Sequence, residues 1–310
     1  MRPTLRQLDY IVTVHRLGRF GLAAEALNIS QPSLSAQIAL VEDELGLRIF
    51  ERGRAGVEAT AKGMELIRRA ERILREMQDL RRAMTSDLPF AGRLRLGVLP
   101  SIGPYLLPQV VREIHRRQPD LRVVLREEST RDLEAGLKSG RFDLVISTPE
   151  DHPNTIQHRL FNEPLWVAVA ADDPLAADPA PVTAPDLKGR QFLTLDPGHR
   201  LSRIAFALAA DCGGVVTDEY AGTSLDSILL MAASGLGVAI LPDLFARRQA
   251  VSRSEVVIRP LAMAQANRDI ALLARAGSTE TAGLALLLDA LGPEVARLGL
   301  AGTGDRMPQF

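Results

Sequence analysis

Apolar positions in residues 4–17 fall close to a 3.6-residue period at Leu5, Leu8, Ile11, Val12 and Leu17, which predicts an amphipathic helix. Gly18 interrupts it. The stretch Leu22-Ala23-Ala24-Glu25-Ala26-Leu27 is short and alanine-rich, as in a helix pressed against a neighbour, and Asn28-Ile29-Ser30 reads as a turn. A third helix opens at Gln31-Pro32-Ser33, where the missing proline N–H has no intrahelical partner to lose. It runs through Leu34, Ile38 and Val41 to Leu45, and Gly46 stops it. Two short helices joined by a tight turn, the second opening on small polar residues, form a helix-turn-helix. The start of its second helix enters the major groove. Gln31, Pro32, Ser33, Ser35 and Gln37 are the candidate contacts there, because the polar side chains bond base edges or phosphates and none holds the helix away. A plain helix pair with a solvated polar face is the competing reading.

Leu47, Ile49 and Val57 then predict two short strands around a turn at Gly53-Arg54-Ala55-Gly56. Arg48, Arg52 and Arg54 on such a wing suit phosphate clamping. From Thr60, a candidate N-cap, a helix carries Leu66, Ala70, Ile73, Met77, Leu80 and Met84 at alternating spacings of four and three. This narrow heptad seam, bordered by arginines and glutamates, predicts self-pairing through residues 60–86. A hinge follows at Asp87-Leu-Pro-Phe-Ala-Gly.

Beyond it the period alternates. Strands are predicted at 93–99, 121–127, 142–147, 164–171, 191–195, 215–219 and 237–241, with two more near 256–259 and 269–275. Helices are predicted at 103–117, 130–139, 200–211, 223–234, 242–248 and 279–297. Strands separated by helices indicate parallel βαβ units. The tail 301–310 receives no structure.

Composition narrows the function classes. The 37 Lys+Arg and 38 Asp+Glu nearly cancel, and residues 1–62 hold eight basic against seven acidic side chains, so DNA affinity must come from the placement of charge. The single cysteine, Cys212, excludes an intrachain disulfide and a four-cysteine metal site. No apolar run approaches the roughly 18–20 residues that span a bilayer, and Arg6 and Asp9 stand where a signal peptide is apolar. A cytoplasmic chain with no membrane partner is expected. There is no Gly-x-Ser-x-Gly elbow, no His-Glu-x-x-His and no phosphate-binding glycine loop with lysine, so an enzyme is not expected, nor a metal or cofactor.

The run Leu27-Asn-Ile-Ser-Gln-Pro-Ser-Leu-Ser-Ala-Gln-Ile, with Leu40-Val-Glu-Asp-Glu-Leu-Gly-Leu-Arg-Ile-Phe-Glu-Arg and Thr60-Ala-Lys-Gly, resembles the winged helix-turn-helix of LysR-type transcriptional regulators. The resemblance implies an α/β chain with a winged helix-turn-helix head (1–62), a linker and dimerisation helix with hinge (60–88) and a two-lobed, periplasmic-binding-protein-like effector domain (92–300). Family topology puts 92–162 and 268–298 in lobe I and 163–267 in lobe II. The implied partners are double-stranded operator DNA, a small-molecule effector and a second copy of the chain, with tetramers common in the family and RNA polymerase a further candidate.

In such sheets ligands sit beyond the carboxyl ends of strands, near helix N-termini. That rule selects Ser101, Ser129, Thr130, Ser147 and Thr148 in lobe I, and His199, Arg200, Thr223 and Ser224 in lobe II. Each hydroxyl alone is equally an N-cap. Together, with the positive ends of helices and Arg200, they point to a small anion such as a carboxylate. His199 is either a pH-sensitive donor or a loop cap.

Gly97-Val-Leu-Pro-Ser-Ile-Gly-Pro-Tyr-Leu-Leu-Pro, Asp196-Pro-Gly-His-Arg-Leu and Ala232-Ala-Ser-Gly-Leu-Gly-Val-Ala-Ile-Leu-Pro are similar to the hydrogen-peroxide-inducible activators within that family. That branch has a peroxide-reactive cysteine directly after the Gly-His and a second one nine positions later. Here Arg200 and Ala209 stand in those places, so the peroxide chemistry does not transfer. The alternative function is a peroxide- or thiol-responsive regulator acting through Cys212 between molecules.

Overall fold

The computed structural model describes residues 3–53, 56–84, 88–250, 253–278 and 281–300. They form two compact units, one holding residues 3–84 and the other the bulk of the chain from Leu88 onward. Predicted elements at 54–55, 85–87, 279–280 and 301–310 lie outside the described residues.

In the first unit, α1 (Leu5–Leu17), α2 (Phe20–Ala26) and α3 (Gln31–Leu45) enclose a core of Tyr10, Ile11, Val14, Ala23, Leu34, Ile38 and Val41. Their ends are set by local chemistry. Thr4 and Gln7 form a reciprocal capping box at the start of α1, and Ser30 caps α3 by accepting from the Ser33 N–H. Gly46 closes α3 in the left-handed region at φ 61°, where a Cβ would be strained. The wing strands are β1 (Phe50–Gly53) and β2 (Gly56–Ala59), so β1 begins later than the Leu47–Ile49 expectation. Ile49 is fully buried in the head core and acts as its anchor. Helix α4 (Ala61–Ala83) follows, with Thr60 Oγ1 accepting from the Gly63 N–H as the expected cap.

The heptad reading of α4 needs a correction. Ala70 is buried and Leu66 packs on the head core beside the fully buried Ile67, because the start of α4 lies against α1. The first turns of the seam are therefore spent within the chain. Only from Ile73, with Leu80 and Met84, is the stripe open, at 43%, 54% and 75% exposure.

The second unit carries one sheet path ordered β4-β3-β5-β11-β6-β9-β7-β8. Its strands are β3 (Arg93–Val98), β4 (Arg122–Glu127), β5 (Leu144–Ser147), β6 (Thr155–Ala170), β7 (Gln191–Leu195), β8 (Val215–Gly222), β9 (Val238–Pro242), β10 (Val256–Pro260) and β11 (Asn267–Arg275). Helices α5 (Gly103–Arg117), α6 (Thr130–Lys138) and α10 (Thr281–Arg297) belong to one lobe. Helices α7 (Arg200–Cys212), α8 (Leu225–Ala233) and the single turn α9 (Asp243–Phe245) belong to the other. After α9 the chain continues as a π-helical turn to Ala250. Each lobe has its own apolar core.

Three strands, β6, β10 and β11, pair only antiparallel and depart from the parallel βαβ expectation. β6 is 16 residues long and antiparallel to its partners, pairing with β11 in its first half and with β9 and β10 in its second. It threads both lobes. Its first half, Thr155–Glu163, escaped the sequence reading because its side chains alternate poorly and remain half exposed. Main-chain pairing to β11 makes it a strand, and that partner lies more than a hundred residues away.

Candidate functional site

On the head, Gln31, Pro32 and Ser33 are exposed at the start of α3, and Ser35 and Gln37 are half-buried. Two are already engaged. The Ser33 hydroxyl lies 2.8 Å from that of Ser30, and Gln37 Oε1 accepts from Gln7 Nε2 at 3.1 Å. Gln31 makes no side-chain hydrogen bond among the described residues. Arg48 is exposed and pairs with Glu42 at 3.1 Å. Arg54 lies outside the described residues, as does the side chain of Arg52.

Sequence reasoning missed Glu42. It is nearly buried on α3, and its Oε1 accepts from the backbone N–H groups of Ile49 and Phe50 at 2.6 and 3.2 Å. One carboxylate thus bolts the wing to the recognition helix. Glu42→Ala orphans two N–H groups and should cost the head about 1–3 kcal/mol per buried donor left unpaired. Thermal unfolding followed by helical circular dichroism checks this. A melting curve identical to the parent's would show that the bolt carries no load.

Between the lobes of the second unit lies a cavity of about 340 Å³. Ser101, Thr130, His199, Arg200, Thr223 and Ser224 line it, as do Tyr105, Glu127, Asp226, Gln249 and Arg268, with Leu99, Leu195, Leu201, Leu225 and Phe245 as apolar wall. Ser129, Ser147 and Thr148 do not. Ser129 is bound to Asp132 within its own helix, and the Thr148 hydroxyl donates to Asp151 at 2.7 Å. Ser147 is wholly buried.

At the floor, Glu163 and Arg268 form an ion pair with side chains 0% and 3% exposed. Arg268 Nε and Nη2 reach one carboxylate oxygen at 2.9 and 2.7 Å, and the other oxygen accepts from the Leu244 N–H. Burial raises the proton affinity of Glu163, and the guanidinium and the Leu244 N–H oppose it. Arg268 Nη2 also donates to Ser101 Oγ at 2.7 Å. On the facing side the Arg200 backbone N–H donates to Thr130 Oγ1 at 3.1 Å. Each hydroxyl therefore has a lone pair taken from behind, which leaves its proton to be donated to a guest.

The charge on Arg200 is not the free cation that the sequence suggested. Its Nη1 sits 3.4 Å from Asp151, a 7% exposed carboxylate that also takes Arg203 at 2.6 Å. The start of α7 serves as a clasp between lobes, joined by the Arg131 N–H donating to Gly198 O at 3.2 Å. His199 has no side-chain cap bond, and burial holds its imidazole below the usual histidine range, hence neutral near pH 7. Tyr105 packs on both lobe cores and bonds Gln249 from the other lobe, while burial pushes its phenol up.

Glu127 ends β4, where the same carboxyl-end rule would have found it, but attention went to hydroxyls. Arg268 opens an antiparallel strand, so its cleft end is its N-terminal one and the rule is blind to it.

Residues 5–64 match the bacterial regulatory helix-turn-helix protein of the lysR family, and residues 89–296 match the LysR substrate binding domain. The chain belongs to the LysR family of transcriptional regulators. LysR-type regulators bind operator DNA and small-molecule effectors and self-associate. Among this LysR chain's relatives, the hydrogen peroxide-inducible genes activator of Dickeya chrysanthemi is 34% identical over 88% of this chain and 90% of its own length. The Escherichia coli K12 dual regulator OxyR is 35% identical over 88% and 90%. Full-length OxyR from Pseudomonas aeruginosa superposes with a TM-score of 0.67 at 30% identity, covering 94% of this chain and 98% of that one. Full-length BenM gives 0.60 at 26%, covering 98% and 100%.

Against those peroxide-inducible relatives, this LysR chain differs where it matters chemically. Its one thiol, Cys212, is 7% exposed at the last turn of α7, within the core of its lobe and far from a helix N-terminus.

Proposed function

We propose that this LysR-type regulator is switched by a small molecule held in the interlobe cavity through Ser101, Thr130, His199, Thr223 and Arg268, and that it does so without peroxide chemistry. The observation that carries the reading is a cavity, of the size of small-molecule sites, whose polar groups come from both lobes. A guest touching both walls binds one lobe arrangement better than another and so shifts their balance. The chain acts as a binding protein, not an enzyme, in the cytoplasm where its operator is. Gln31, Ser33, Ser35, Arg48 and Arg52 carry operator contact. Lobe boundaries near residues 162 and 268 fit the two apolar cores.

The test begins with selection of bound duplexes from fragmented genomic DNA by the full-length protein. A symmetric protected site is expected, altered by the low-molecular-weight fraction of a cell extract. Thr223→Trp, placed at the exposed rim of the cavity, should abolish the alteration and leave the site itself intact. An extract effect equal in both proteins would put the switch elsewhere. Gln31→Ala should lose about 1–3 kcal/mol of discrimination at one base pair per half-site. Uniform weakening across all sequences would instead make Gln31 a backbone contact.

A further inference from the structure

The charges around the cavity can be accounted for one by one. Arg268 is neutralised by Glu163, and Arg200 shares the single Asp151 carboxylate with Arg203, at 3.4 and 2.6 Å, so an anion would reach either guanidinium only in competition with an existing partner. For Arg268 the exchange would strand a wholly buried carboxylate. Asp226 has Arg253 at 4.0 Å. Glu127 is left over: it lines the cavity, is exposed to it, and makes no ion pair or hydrogen bond among the described residues. A Cβ on Gly103, at the start of α5, would lie 2.9 Å from Glu127 Oε1, so a side chain there would push the end of the carboxylate aside.

Ser101 and Thr130 each accept an N–H from behind and are left to donate forward. The space therefore offers two O–H donors, an unpaired carboxylate and apolar lining from Leu99, Leu195, Leu225 and Phe245.

We propose that the effector of this cavity is a small organic amine, its ammonium group held by Glu127 and an oxygen acceptor on the same molecule held by the hydroxyls of Ser101 and Thr130. The proposal rests on the interlobe cavity being the effector site. It replaces the carboxylate that the helix N-termini suggested, because the unpaired Glu127 repels a second carboxylate in the same space and the charge of Arg268 is already matched by Glu163. The desolvation that raises the pKa of Glu127 acts in the same sense, since an ammonium restores to the carboxylate what burial removes.

Calorimetric titration of the full-length protein with 6-aminohexan-1-ol, hexane-1,6-diol and 6-hydroxyhexanoate tests the charge on one skeleton. The amine should bind roughly tenfold or more tightly than the diol, with the hydroxy acid weakest. Glu127→Gln should erase the gap between amine and diol. Gly103→Ala, which crowds the carboxylate, should narrow it. A hydroxy acid that binds best, an amine preference that survives Glu127→Gln, or no binding by any of the three would overturn the proposal. Thr223→Trp separates the two levels. Amine binding unaffected by it lies outside the cavity and sinks the site reading, whereas wrong charge preference within the cavity sinks only the amine.

Discussion

Exchange of Glu163 for alanine should destabilise the two-lobed unit by about 3–5 kcal/mol, the cost of leaving one buried member of an ion pair without its partner. Glu163 is wholly buried and takes two bonds from Arg268 and one from the Leu244 N–H, so the variant strands a guanidinium and a backbone donor together. Urea unfolding of the full-length protein, followed by the fluorescence of Trp166 in the second lobe, reads the change. Because Trp166 Nε1 donates to Asp243 at 2.7 Å beside α9, its emission reports the region that Glu163 holds. Glu163→Gln keeps the shape and an acceptor but removes the charge, and should fall between alanine and the parent. An alanine variant within 1 kcal/mol of the parent, on the order of an ordinary surface change, would show that the pair contributes little. Arg268 would then be free to leave Glu163 and meet an anion in the cavity.

The double exchange of Ile73 and Leu80 for glutamate should convert the protein to a monomer in sedimentation velocity. Operator affinity should fall on the order of 10²–10⁴-fold, because two heads no longer share one site. Both side chains are exposed on α4 at 43% and 54% in the single chain, while the preceding turns are buried against α1. Charges placed there meet water in the monomer and a partner's apolar stripe in the dimer, so the fold of the head should survive. Ile67→Glu would be a different experiment, since Ile67 is 1% exposed and belongs to the head core. A doubly substituted protein that remains dimeric would place self-association on another surface.

The helices of the head were legible because their signals are local. Thr4, Ser30 and Thr60 cap the helices that follow them, Gly46 ends α3, and the 3.6-residue period marks which face is buried. The strands of the second unit that lie between helices, such as β3 and β9, were equally plain, being short apolar runs buried on both sides. What was misread shares one property. The first half of β6 is a strand by virtue of β11, the seam of α4 is shortened by α1, and Arg200 is drawn to Asp151, which it shares with Arg203. In each case the deciding partner is remote in the chain.

The candidate site divides the same way. Ser101, Thr130, His199 and Thr223 follow strands or precede helices, and their positions at element ends are written in the local period. Arg268, Tyr105 and Gln249 reach the cavity only because β11 and α5 run beside distant segments.

By itself the order of residues determined the class of chain, the groove-reading head, the alternating strands and helices behind it, and the presence of a single cysteine, Cys212. Only the tertiary structure decided the charge of the cavity. Whether an arginine is a free cation or half of a neutral pair depends on a carboxylate within about 4 Å, and the Coulomb energy that settles it depends on distance and burial. Neither can be read from spacing along the chain.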